Sequence, residues 1–590
     1  MMGNQEIAKL FKNIAAAYSI KDEKKFHFQI VAYQKASEAI ANSTSEMKDL
    51  YLERKLDSLP GIGTTIKSHL EELFKKGSVR HFDWVLKGIP KSVFVLTDIP
   101  TIGPKKAYKL TREFSLYRPD TVVDELIDRA KKGKIAKLPT FGEKSQEDLF
   151  QALLEYKQGK NKPIRMVLPY AYDLAKKVVA YIKKSDAVIE SIALGSLRRM
   201  RATVKDIDIA VATDRPEAVI DHFVHYPYIE RIIEQGASSA SILTTGGKQI
   251  DLMVQPLRRF GSLLQHFTGS KNHNVHLREY ALKKGLSLSE RGIKRLSNQD
   301  NKIKQYQKEE EFYNALGMSW IPPEIREDTG EIELAINHKL PALLEISDIK
   351  GDLHIHSSFP IEPSHDLGHS TIPQMFEYAK KLNYEYIGFS EHNPSISKHT
   401  NYQIYSLIAS RNKEIEQLKS DNKSPRIIKL LEIDILPSGK LAIDDKSLAL
   451  LDGAIVSIHS SFGMDKSDMT KRAIHGLSHP KAKILAHPTG RMLNERPGYD
   501  LDFEKIFEFC KKNNKALEIN SWPTRLDLSD SIIRLAVDNG VKLAINTDSH
   551  DLRQMNLMMY GVAMARRGWA KKDDIVNALG YNDFIKWLCI

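Results

Sequence analysis

From residue 349 to the end of the chain, short apolar segments alternate with helical stretches, and most of these segments carry a histidine or an acid near their ends. The segments include YEYIGFSEH, RIIKLLEIDIL, LDGAIVSIHSS, KILAHP, KALEINS and VKLAINTDSH. Strand–helix alternation predicts parallel strands, in a βα barrel or a doubly wound sheet. In a βα barrel the carboxyl ends of the strands converge on one mouth. The polar residues that end these strands are therefore expected to share one site.

The rest of the chain shows other patterns. Apolar residues at helical spacing, with Pro/Gly hinges, predict short helices over residues 1–85 and 86–160. Strand patterns follow from about residue 164, and residues 261–318 return to helix and turn. Residues 319–348 contain paired prolines and an acidic cluster, which indicates a docked linker. A chain of 590 residues is expected to form three or more domains, here a multidomain α/β protein with an all-α start.

Bulk composition narrows the class of partner and the compartment. The net charge of +12 favours a polyanionic partner such as nucleic acid, although charge alone leaves a protein that never contacts DNA equally open. No apolar run reaches the ~18–20 residues that a membrane span needs, and the N-terminus does not resemble a signal peptide. The two cysteines, Cys510 and Cys589, fit a reducing compartment. We therefore expect a cytoplasmic protein without a membrane partner.

Three aspartates form the first candidate site. Asp206 and Asp208 lie two apart on a predicted strand, so both project from one face, and Asp251 lies on another strand. Three carboxylates on adjacent strands can hold two divalent cations about 3.5–4 Å apart. The turn Gly195-Ser196 offers backbone N–H groups to phosphate oxygens, and Arg198 and Arg199 add guanidinium groups. Asp-x-Asp alone is common on exposed strand edges, but the combination with the Gly-Ser turn and a third aspartate is much rarer.

This arrangement resembles the nucleotidyltransferase palm of family X DNA polymerases, and residues 263–292, LLQHFTGSKNHNVHLREYALKKGLSLSERG, resemble the nucleotide-binding segment of that family. The resemblance implies that Asp206 and Asp208 hold two Mg²⁺ or Mn²⁺ ions, with Asp251 on the catalytic metal as the base for the primer 3′-hydroxyl. It also implies nucleotide-binding roles for Gly195, Ser196, Arg199, Phe267, Gly269, Asn274 and Arg278. Three positions depart from the family pattern: His266, Lys205 and Met200.

The N-terminal helices carry turn motifs that resemble helix–hairpin–helix DNA-binding motifs. The motif LPGIG contains Gly61 and Gly63, and two weaker copies place Gly103 and Gly142 at the equivalent position. Glycine permits left-handed φ, and a helix N-terminus offers free N–H groups to a phosphate, so non-specific binding to the DNA backbone is expected. Several family X members use a lysine here to remove a 5′ sugar phosphate. His69 stands at that position, which predicts weak or absent lyase activity.

The histidine-rich strand ends form the second candidate site. Imidazole and carboxylate groups are the ligands expected for Zn²⁺, Mn²⁺ or Fe²⁺. A lone histidine is more often a surface or satisfied core residue, but six histidines with two acids at strand ends are poorly explained in that way. The candidate ligands are His354, His356, His392, Glu432, His459, His487, Asp548 and His550.

This set resembles the PHP domain of polymerases and histidinol phosphatases, over about residues 349–580, and predicts a distorted (βα)7-type barrel. The resemblance implies up to three Zn²⁺ or Mn²⁺ ions. His354, His356, Glu432 and Asp548 would hold the first ion, Glu432, His459 and His487 the second, and His392 and His550 the third. The resemblance leaves open whether Glu362, His365 or Asp366 is the remaining ligand of the third site. Glu391 occupies a position where the family usually has aspartate.

Together the two sites predict a gap-filling DNA repair polymerase with a 3′–5′ exonuclease or related phosphoesterase, acting on DNA and dNTPs as a monomer. The sequence leaves two alternatives: a DNA-binding scaffold with inactive sites, and a nucleotidyltransferase that acts on non-DNA acceptors. The predicted domains are a helical lyase-like domain (1–85), a fingers-like helical domain (86–160), a palm (161–260), a thumb (261–318), a linker (319–348) and the PHP domain (349–590).

Overall fold

The computed structural model of the chain describes residues 2, 4–41, 47–52, 54, 56, 62–99, 102–139, 141–159, 165–296, 302–418 and 425–589. The chain forms two compact units. The first comprises Met1–Arg165, Tyr228–Arg231 and Leu243–Lys248, and the second comprises Met166–Pro227, Ile232–Ile242 and Gln249–Ile590. Among the residues described, no helix has the length and apolar character of a membrane span.

Helices build the N-terminal part of the first unit around two apolar cores. One core includes Phe11, Leu70 and Phe82, and the other includes Leu110 and Leu126. The helices are α1 (Asn4–Asp22), α2 (His27–Ala41), α3 (Met47–Leu52), α4 (Thr64–Lys76), α5 (Arg80–Leu86), α6 (Lys91–Leu96), α7 (Pro104–Glu113), α8 (Val122–Lys131) and α9 (Glu143–Gly159).

The three described turn glycines occupy equivalent positions. Gly63, Gly103 and Gly142 directly precede α4, α7 and α9, and each carbonyl oxygen accepts a 2.9 Å hydrogen bond from the N–H four residues later. The expectation of left-handed φ was wrong for Gly63 and Gly103, whose φ values are −74° and −72°. Each of them is the N-cap at which its helix begins, and N-cap residues have extended backbone. A Cβ at any of the three positions would meet nothing within 4 Å, so these glycines leave the approach to the helix open. Gly61 lies outside the described residues.

A small sheet carries the predicted aspartates. Its strand order is β2-β4-β7-β6-β5, and β4 pairs antiparallel with β2 and parallel with β7. The elements of this region are β1 (Met166–Val167), α10 (Leu168–Ile182), β2 (Glu190–Ala193), α11 (Gly195–Arg198), β3 (Thr203–Val204), β4 (Ile207–Ala212), α12 (Pro216–Val224), β5 (Ile229–Gln235), β6 (Ser239–Thr244) and β7 (Gln249–Gln255).

Helices and a three-stranded sheet follow. They share an apolar core that includes Leu277, Phe312, Tyr313 and Ile332. The elements are α13 (Phe260–Thr268), α14 (Lys271–Lys283), β8 (Leu286–Ser289), β9 (Gly292–Arg295), β10 (Ile303–Lys304), α15 (Glu309–Ala315) and α16 (Glu331–Ile336).

Parallel strands and helices alternate through the C-terminal region. The elements are β11 (Gly351–Ile355), α17 (Ile372–Lys381), β12 (Tyr386–Phe389), α18 (Asn401–Glu416), β13 (Arg426–Lys429), β14 (Glu432–Asp434), α19 (Asp445–Leu448), β15 (Ala454–Ser457), α20 (Lys466–Leu477), β16 (Ala482–Leu485), α21 (Phe503–Lys512), β17 (Ala516–Asn520), α22 (Asp530–Asp538), β18 (Lys542–Asn546), α23 (Met558–Arg567) and α24 (Tyr581–Cys589). Most of these strands are buried; β13 is only partly buried, and Arg426 in β13 and Lys542 in β18 are exposed.

These strands close into a barrel. The orders β11-β12-β13 and β14-β15-β16-β17-β18 are both parallel, and bridges between Ile355 and Ser549 and between His392 and Glu432 join the two sheets at both edges. Only two residues separate β13 from β14, so the pair acts as one interrupted strand that pairs with β12 on one side and β15 on the other. The barrel therefore has the predicted distorted (βα)7 form, and the predicted multidomain α/β fold class is confirmed.

Candidate metal centres and nucleotide-binding segment

The three predicted palm aspartates lie together on the sheet. Asp208 and Asp251 are register partners on the parallel strands β4 and β7, so their side chains share a face. Asp206 lies just before β4. Burial, followed by the charges of Asp251 and Asp206, raises the pKa of Asp208 to about 7. Carboxylates held this close repel one another, and bound cations are the usual way to offset that repulsion.

Gly195 forms the turn that packs against this carboxylate pair. Its φ is +59°, and an added Cβ would lie 2.0 Å from Asp208 Oδ2. The N–H of Leu194 donates a 2.7 Å hydrogen bond to the carbonyl oxygen of Asp208. No side chain larger than hydrogen fits at position 195 while Asp208 keeps its place. Ser196 follows in the single turn of α11.

Two flanking side chains contact the other aspartates. Lys205 Nζ lies 3.0 Å from Asp206 Oδ2, and Gln249 Nε2 donates to Asp251 Oδ1 at 3.0 Å. Lys205 is one of the residues that depart from the family pattern. It places a cation on a carboxylate that is predicted to hold both metals, and so competes with metal at that oxygen.

The paired arginines that follow Gly195 are both engaged with acids. Arg198 pairs with Glu309 at 2.9 Å, and Glu309 pairs also with the buried Arg326 at 2.6 Å. Arg199 Nε lies 3.0 Å from Glu327, and its Nη1 donates to the carbonyl oxygen of Thr268. Arg199 therefore lies beside the end of α13, where the predicted nucleotide-binding segment begins, and it shares its charge with Glu327.

The remaining predicted nucleotide-binding residues lie along α13 and α14. Gly269 has φ +69°, and a Cβ there would lie 3.0 Å from Arg199 Nη1. Phe267 is half-buried against His266, at 4.9 Å between ring centroids. Asn274 accepts a hydrogen bond from Gln265 and donates to the carbonyl oxygen of His266. Arg278 is exposed and donates to the carbonyl oxygen of Asn274. The structure thus brings Arg199 and Gly269 together, and the roles of the whole set stay predictions.

His69, at the position of the lyase lysine, lies in an aromatic stack of the first unit. Its Nδ1 is 2.7 Å from the Tyr33 hydroxyl, and its ring stacks on His81 at 5.2 Å. Burial, and then the neighbouring His81, lower the pKa of His69. An imidazole cannot form the imine that a lysine forms, and weak or absent lyase activity stays a prediction.

The barrel mouth gathers the predicted histidines and acids. Apart from the half-buried His459 and His550, the predicted ligands are buried. Several of their inward atoms have no hydrogen-bond partner, among them His354 Nε2, His356 Nε2, Glu432 Oε2 and His550 Nε2. A buried polar atom without a partner is costly, and a metal ion would supply the missing partner for each.

The distances between these atoms match a shared coordination sphere. A tetrahedral site with bonds of about 2.1 Å has edges of about 3.4 Å. His354 Nε2 lies 3.2 Å from Glu432 Oε2 and 3.6 Å from Asp548 Oδ1, and His356 Nε2 lies 3.2 Å from the same Asp548 atom. Around the other oxygen of Glu432, His459 Nε2 lies at 3.3 Å and His487 Nε2 at 2.9 Å. These are the groupings predicted for the first and second ions.

The third grouping depends on the loop after β11. Asp366 lies between His392 Nε2 at 3.4 Å and His550 Nε2 at 3.5 Å. Of the other two candidates, Glu362 pairs with His399 at 3.0 Å, and His365 pairs with Asp434 at 3.0 Å. Only Asp366, among the three, faces both histidines of the third grouping.

Glu391, which replaces the aspartate usual in the PHP family, points away from the cluster. It pairs with the buried Arg411 at 2.7 Å and accepts a hydrogen bond from Ser357. Glutamate, which is longer than aspartate by one methylene group, thus forms a buried ion pair at this position. Its presence does not remove a ligand from the three groupings.

Two acids in this region were not singled out from the sequence. Glu518, on β17, accepts from His354 Nδ1 at 2.7 Å and from the N–H of His487 at 2.7 Å. Asp434 lies 2.7 Å from His459 Nδ1. A carboxylate on the far nitrogen of a metal-binding histidine fixes its tautomer and orientation. The available signal was an acid within an otherwise largely apolar segment: Glu518 in ALEIN, and Asp434 two residues after the predicted ligand Glu432 in LLEID.

Backbone strain also marks the cluster. His487 has φ +27° and Asp548 has φ +56°, a region that L residues rarely adopt. Residues held this way cost of order 1–3 kcal/mol each and concentrate at functional sites. His487 lies two residues after β16, and Asp548 lies two residues after β18. The turns at these strand ends direct both side chains into the barrel mouth.

The fold and the two sites define a nucleotidyltransferase palm joined to a metal-dependent phosphoesterase barrel, and comparison with known proteins identifies the family. Residues 263–327 match the family described as "DNA polymerase beta thumb", and residues 2–79 match "Helix-hairpin-helix domain". The chain is 34% identical over 587 residues to the DNA polymerase/3′–5′ exonuclease PolX of Bacillus subtilis, with 99% of this chain and 98% of that protein covered. The chain therefore belongs to the PolX family of DNA polymerases, as its sequence predicted.

Two further relatives cover parts of the chain. DNA polymerase lambda of Rattus norvegicus is 21% identical over 310 residues, which covers 49% of each chain. A probable phosphatase of Caldanaerobacter subterraneus is 25% identical over 209 residues, which covers 34% of this chain and 75% of that protein. The chain thus combines a region similar to a DNA polymerase with a region similar to a phosphatase. Membership of this family implies divalent metals and DNA binding.

Proposed function

We propose that this protein fills gaps in DNA during repair, with a palm polymerase site, and hydrolyses DNA ends from 3′ to 5′ with the barrel site. The observation that carries the proposal is the convergence of two separate groups of ligands: Asp208 beside Asp251 on the sheet, and three sets of imidazoles and carboxylates at the barrel mouth. Family membership supports the same pair of activities.

In the palm, Asp206 and Asp208 would hold two Mg²⁺ or Mn²⁺ ions, and Asp251 would hold one of them. The ions would stabilise charge on the attacking and leaving oxygens of nucleotidyl transfer. Asp251 would accept the proton of the primer 3′-hydroxyl. The turn at Gly195 and Ser196 would orient the triphosphate with backbone N–H groups, and Arg199 would pair with it once released from Glu327.

In the barrel, the three groupings would hold up to three Zn²⁺ or Mn²⁺ ions, with Asp366 as the acid of the third. Such ions bind a phosphate and lower the pKa of bound water, so that hydroxide is available near neutral pH. Glu518 and Asp434 would hold His354 and His459 in the tautomers that present a lone pair inward.

DNA would be held through its backbone by the turns before α4, α7 and α9, which leave open space around each glycine. The lyase-like, fingers-like, palm, thumb, linker and PHP domains would divide the chain at the boundaries predicted from the sequence. The monomeric state and the cytoplasmic location stay predictions.

Two double variants test the proposal. Asp206→Ala with Asp208→Ala is expected to abolish primer extension on a gapped substrate and to leave 3′–5′ hydrolysis intact. His354→Ala with His356→Ala is expected to do the reverse, because the two groups of ligands share no residue. The exposed Asp214, at the end of β4, is a matched control: Asp214→Ala should keep both activities. Loss of both activities in either double variant would contradict two independent sites.

A further inference from the structure

Trp522 lies two residues after β17, in one of the loops that form the barrel mouth. Its side chain is half-buried, so part of the indole ring faces solvent. Among the residues described, the aromatic ring that it contacts is the imidazole of His550, at 6.3 Å between ring centroids and with an interplanar angle of 66°. His550 belongs to the third grouping, together with His392 and Asp366. An aromatic side chain thus lies directly beside a predicted metal ligand.

Hydrogen bonds fix the backbone of this loop. The N–H of Trp522 donates to Asn520 Oδ1 at 2.9 Å, and Asn520 Nδ2 donates to Asp548 Oδ2 at 3.0 Å. The carbonyl oxygen of Trp522 accepts from the N–H groups of Arg525 and Leu526, at 2.9 and 3.0 Å. Arg525 Nε in turn lies 3.5 Å from Asp548 Oδ2. The loop is therefore attached to the first grouping at two points, and it holds the indole beside the third.

The other tryptophans of the second unit have structural surroundings. Trp569 and Trp587 are buried in apolar cores, and Trp320 Nε1 donates to Glu309 at 2.9 Å. Trp522 differs from all three, because its ring is partly exposed and its Nε1 has no hydrogen-bond partner among the residues described. Indole combines a large apolar face with a polar N–H, and both parts gain from contact with a ligand. Trp522 therefore keeps a planar surface available at the barrel mouth.

We propose that Trp522 stacks on the base of the 3′-terminal nucleotide and so positions the phosphodiester that the barrel site hydrolyses. Every base has a π-face, so stacking on an aromatic side chain holds a nucleotide without regard to its sequence. The terminal nucleotide has a phosphate for the metal groupings and a base for the ring beside them, whereas a terminus without a base offers only the phosphate. Trp522 therefore makes the site selective for strand ends that carry a base. This inference rests on the proposed exonuclease function.

The test compares two single-stranded oligothymidylates of equal length, with the full-length protein and Mn²⁺. One ends in thymidine and the other in an abasic tetrahydrofuran residue, so they share every phosphate and differ in the terminal base. Release of the terminal residue is measured. Trp522→Ala is expected to lower kcat/KM for the thymidine end about tenfold, the scale of one stacked base, and to leave kcat/KM for the abasic end unchanged. Trp522→Phe, which keeps an aromatic face, should retain most of the preference for thymidine.

Controls separate stacking from a folding defect. Tyr402, on α18 of the same barrel, is 80% exposed and contacts none of the predicted metal ligands among the residues described. Tyr402→Ala should therefore leave the ratio of the two kcat/KM values unchanged. Primer extension reports whether each variant keeps its fold. If Trp522→Ala loses primer extension, Trp522→Leu decides, because leucine keeps an apolar side chain without a planar face, and the same fall in the ratio is expected.

Three outcomes would overturn the inference. Wild-type protein that hydrolyses both ends, with a ratio that Trp522→Ala leaves unchanged, would show that the indole contacts no terminal base. An equal loss of kcat/KM on both substrates would mean that Trp522 acts by holding His550 in place. Wild-type protein that extends primers but hydrolyses neither substrate would refute the proposed exonuclease, and this inference with it.

Discussion

At the scale of single residues, the absence of one Cβ at position 195 decides whether the palm carboxylates can take their places. Gly195→Ala is expected to abolish primer extension, because its Cβ would lie 2.0 Å from Asp208 Oδ2. The matched control is Gly247→Ala. Gly247 has φ +69° with nothing within 4 Å of an added Cβ, so that variant carries the same backbone cost of ~1–2 kcal/mol without the clash. Equal primer extension by the two variants would refute the steric argument.

The third metal grouping offers a second test at this scale. Asp366→Asn is expected to reduce the number of Zn²⁺ ions bound per chain by one, measured by elemental analysis of zinc-loaded protein. The reason is that, of the three candidates in this loop, Asp366 is the one that lies between His392 and His550. Glu362→Gln is the control, because Glu362 pairs with His399 outside the cluster. Loss of a metal in the control, with none lost in Asp366→Asn, would reverse the assignment.

At the scale of elements, Glu309 at the start of α15 connects α11, the turn predicted to bind phosphate, to the turn at Arg326. It is buried between Arg198 and Arg326. Burial alone would raise its pKa, but the two guanidinium groups overcome that effect and lower the pKa of Glu309 to about 2. The stabilisation from this carboxylate is therefore complete above the unfolded pKa near 4.5 and is lost as the pH falls towards about 2.

Glu309→Gln should accordingly lower the free energy of unfolding near neutral pH by about 3–5 kcal/mol, since two buried cations lose their anion. The midpoint of thermal unfolding, measured between pH 6 and pH 3, should also depend less on pH in the variant than in the wild type. The neighbouring Glu310 is exposed, so Glu310→Gln serves as the control. An identical pH dependence in the wild type and in Glu309→Gln would contradict this account.

The elements also show how far the sequence could predict the molecule. Apolar strands that end in imidazoles or acids predicted the barrel and its eight candidate ligands, because the carboxyl ends of the strands of a βα barrel converge on one mouth. The sequence could not show which of Glu362, His365 and Asp366 completes the third grouping. These residues lie in an irregular loop, whose side chains follow no periodic pattern, so only the folded loop shows which partner each of them contacts. The sequence does not single out Glu518, because the two residues that it contacts, His354 and His487, are distant from it in sequence.

At the scale of the whole molecule, a buried arginine of the barrel contacts the palm. Arg567, on α23 of the barrel, donates to the carbonyl oxygen of Arg199 at 2.6 Å and pairs with Glu327 at 3.1 Å and with Asp530. Glu327 in turn holds the Arg199 guanidinium. A barrel helix thus fixes the backbone of a residue that is predicted to bind the incoming nucleotide.

Arg567→Gln is therefore expected to impair DNA synthesis from a position outside the palm. The variant leaves Glu327 and Asp530 without their shared cation, so the turn after α11 should lose its fixed position and KM for dNTP should rise severalfold in primer extension. Hydrolysis of a DNA end should change little, because Arg567 contacts none of the cluster ligands among the residues described. Arg534→Gln, which removes an exposed ion pair of the same barrel, is the control. If Arg567→Gln instead lowered hydrolysis and left KM for dNTP unchanged, this arginine would support the barrel alone, and the palm would not depend on its neighbour.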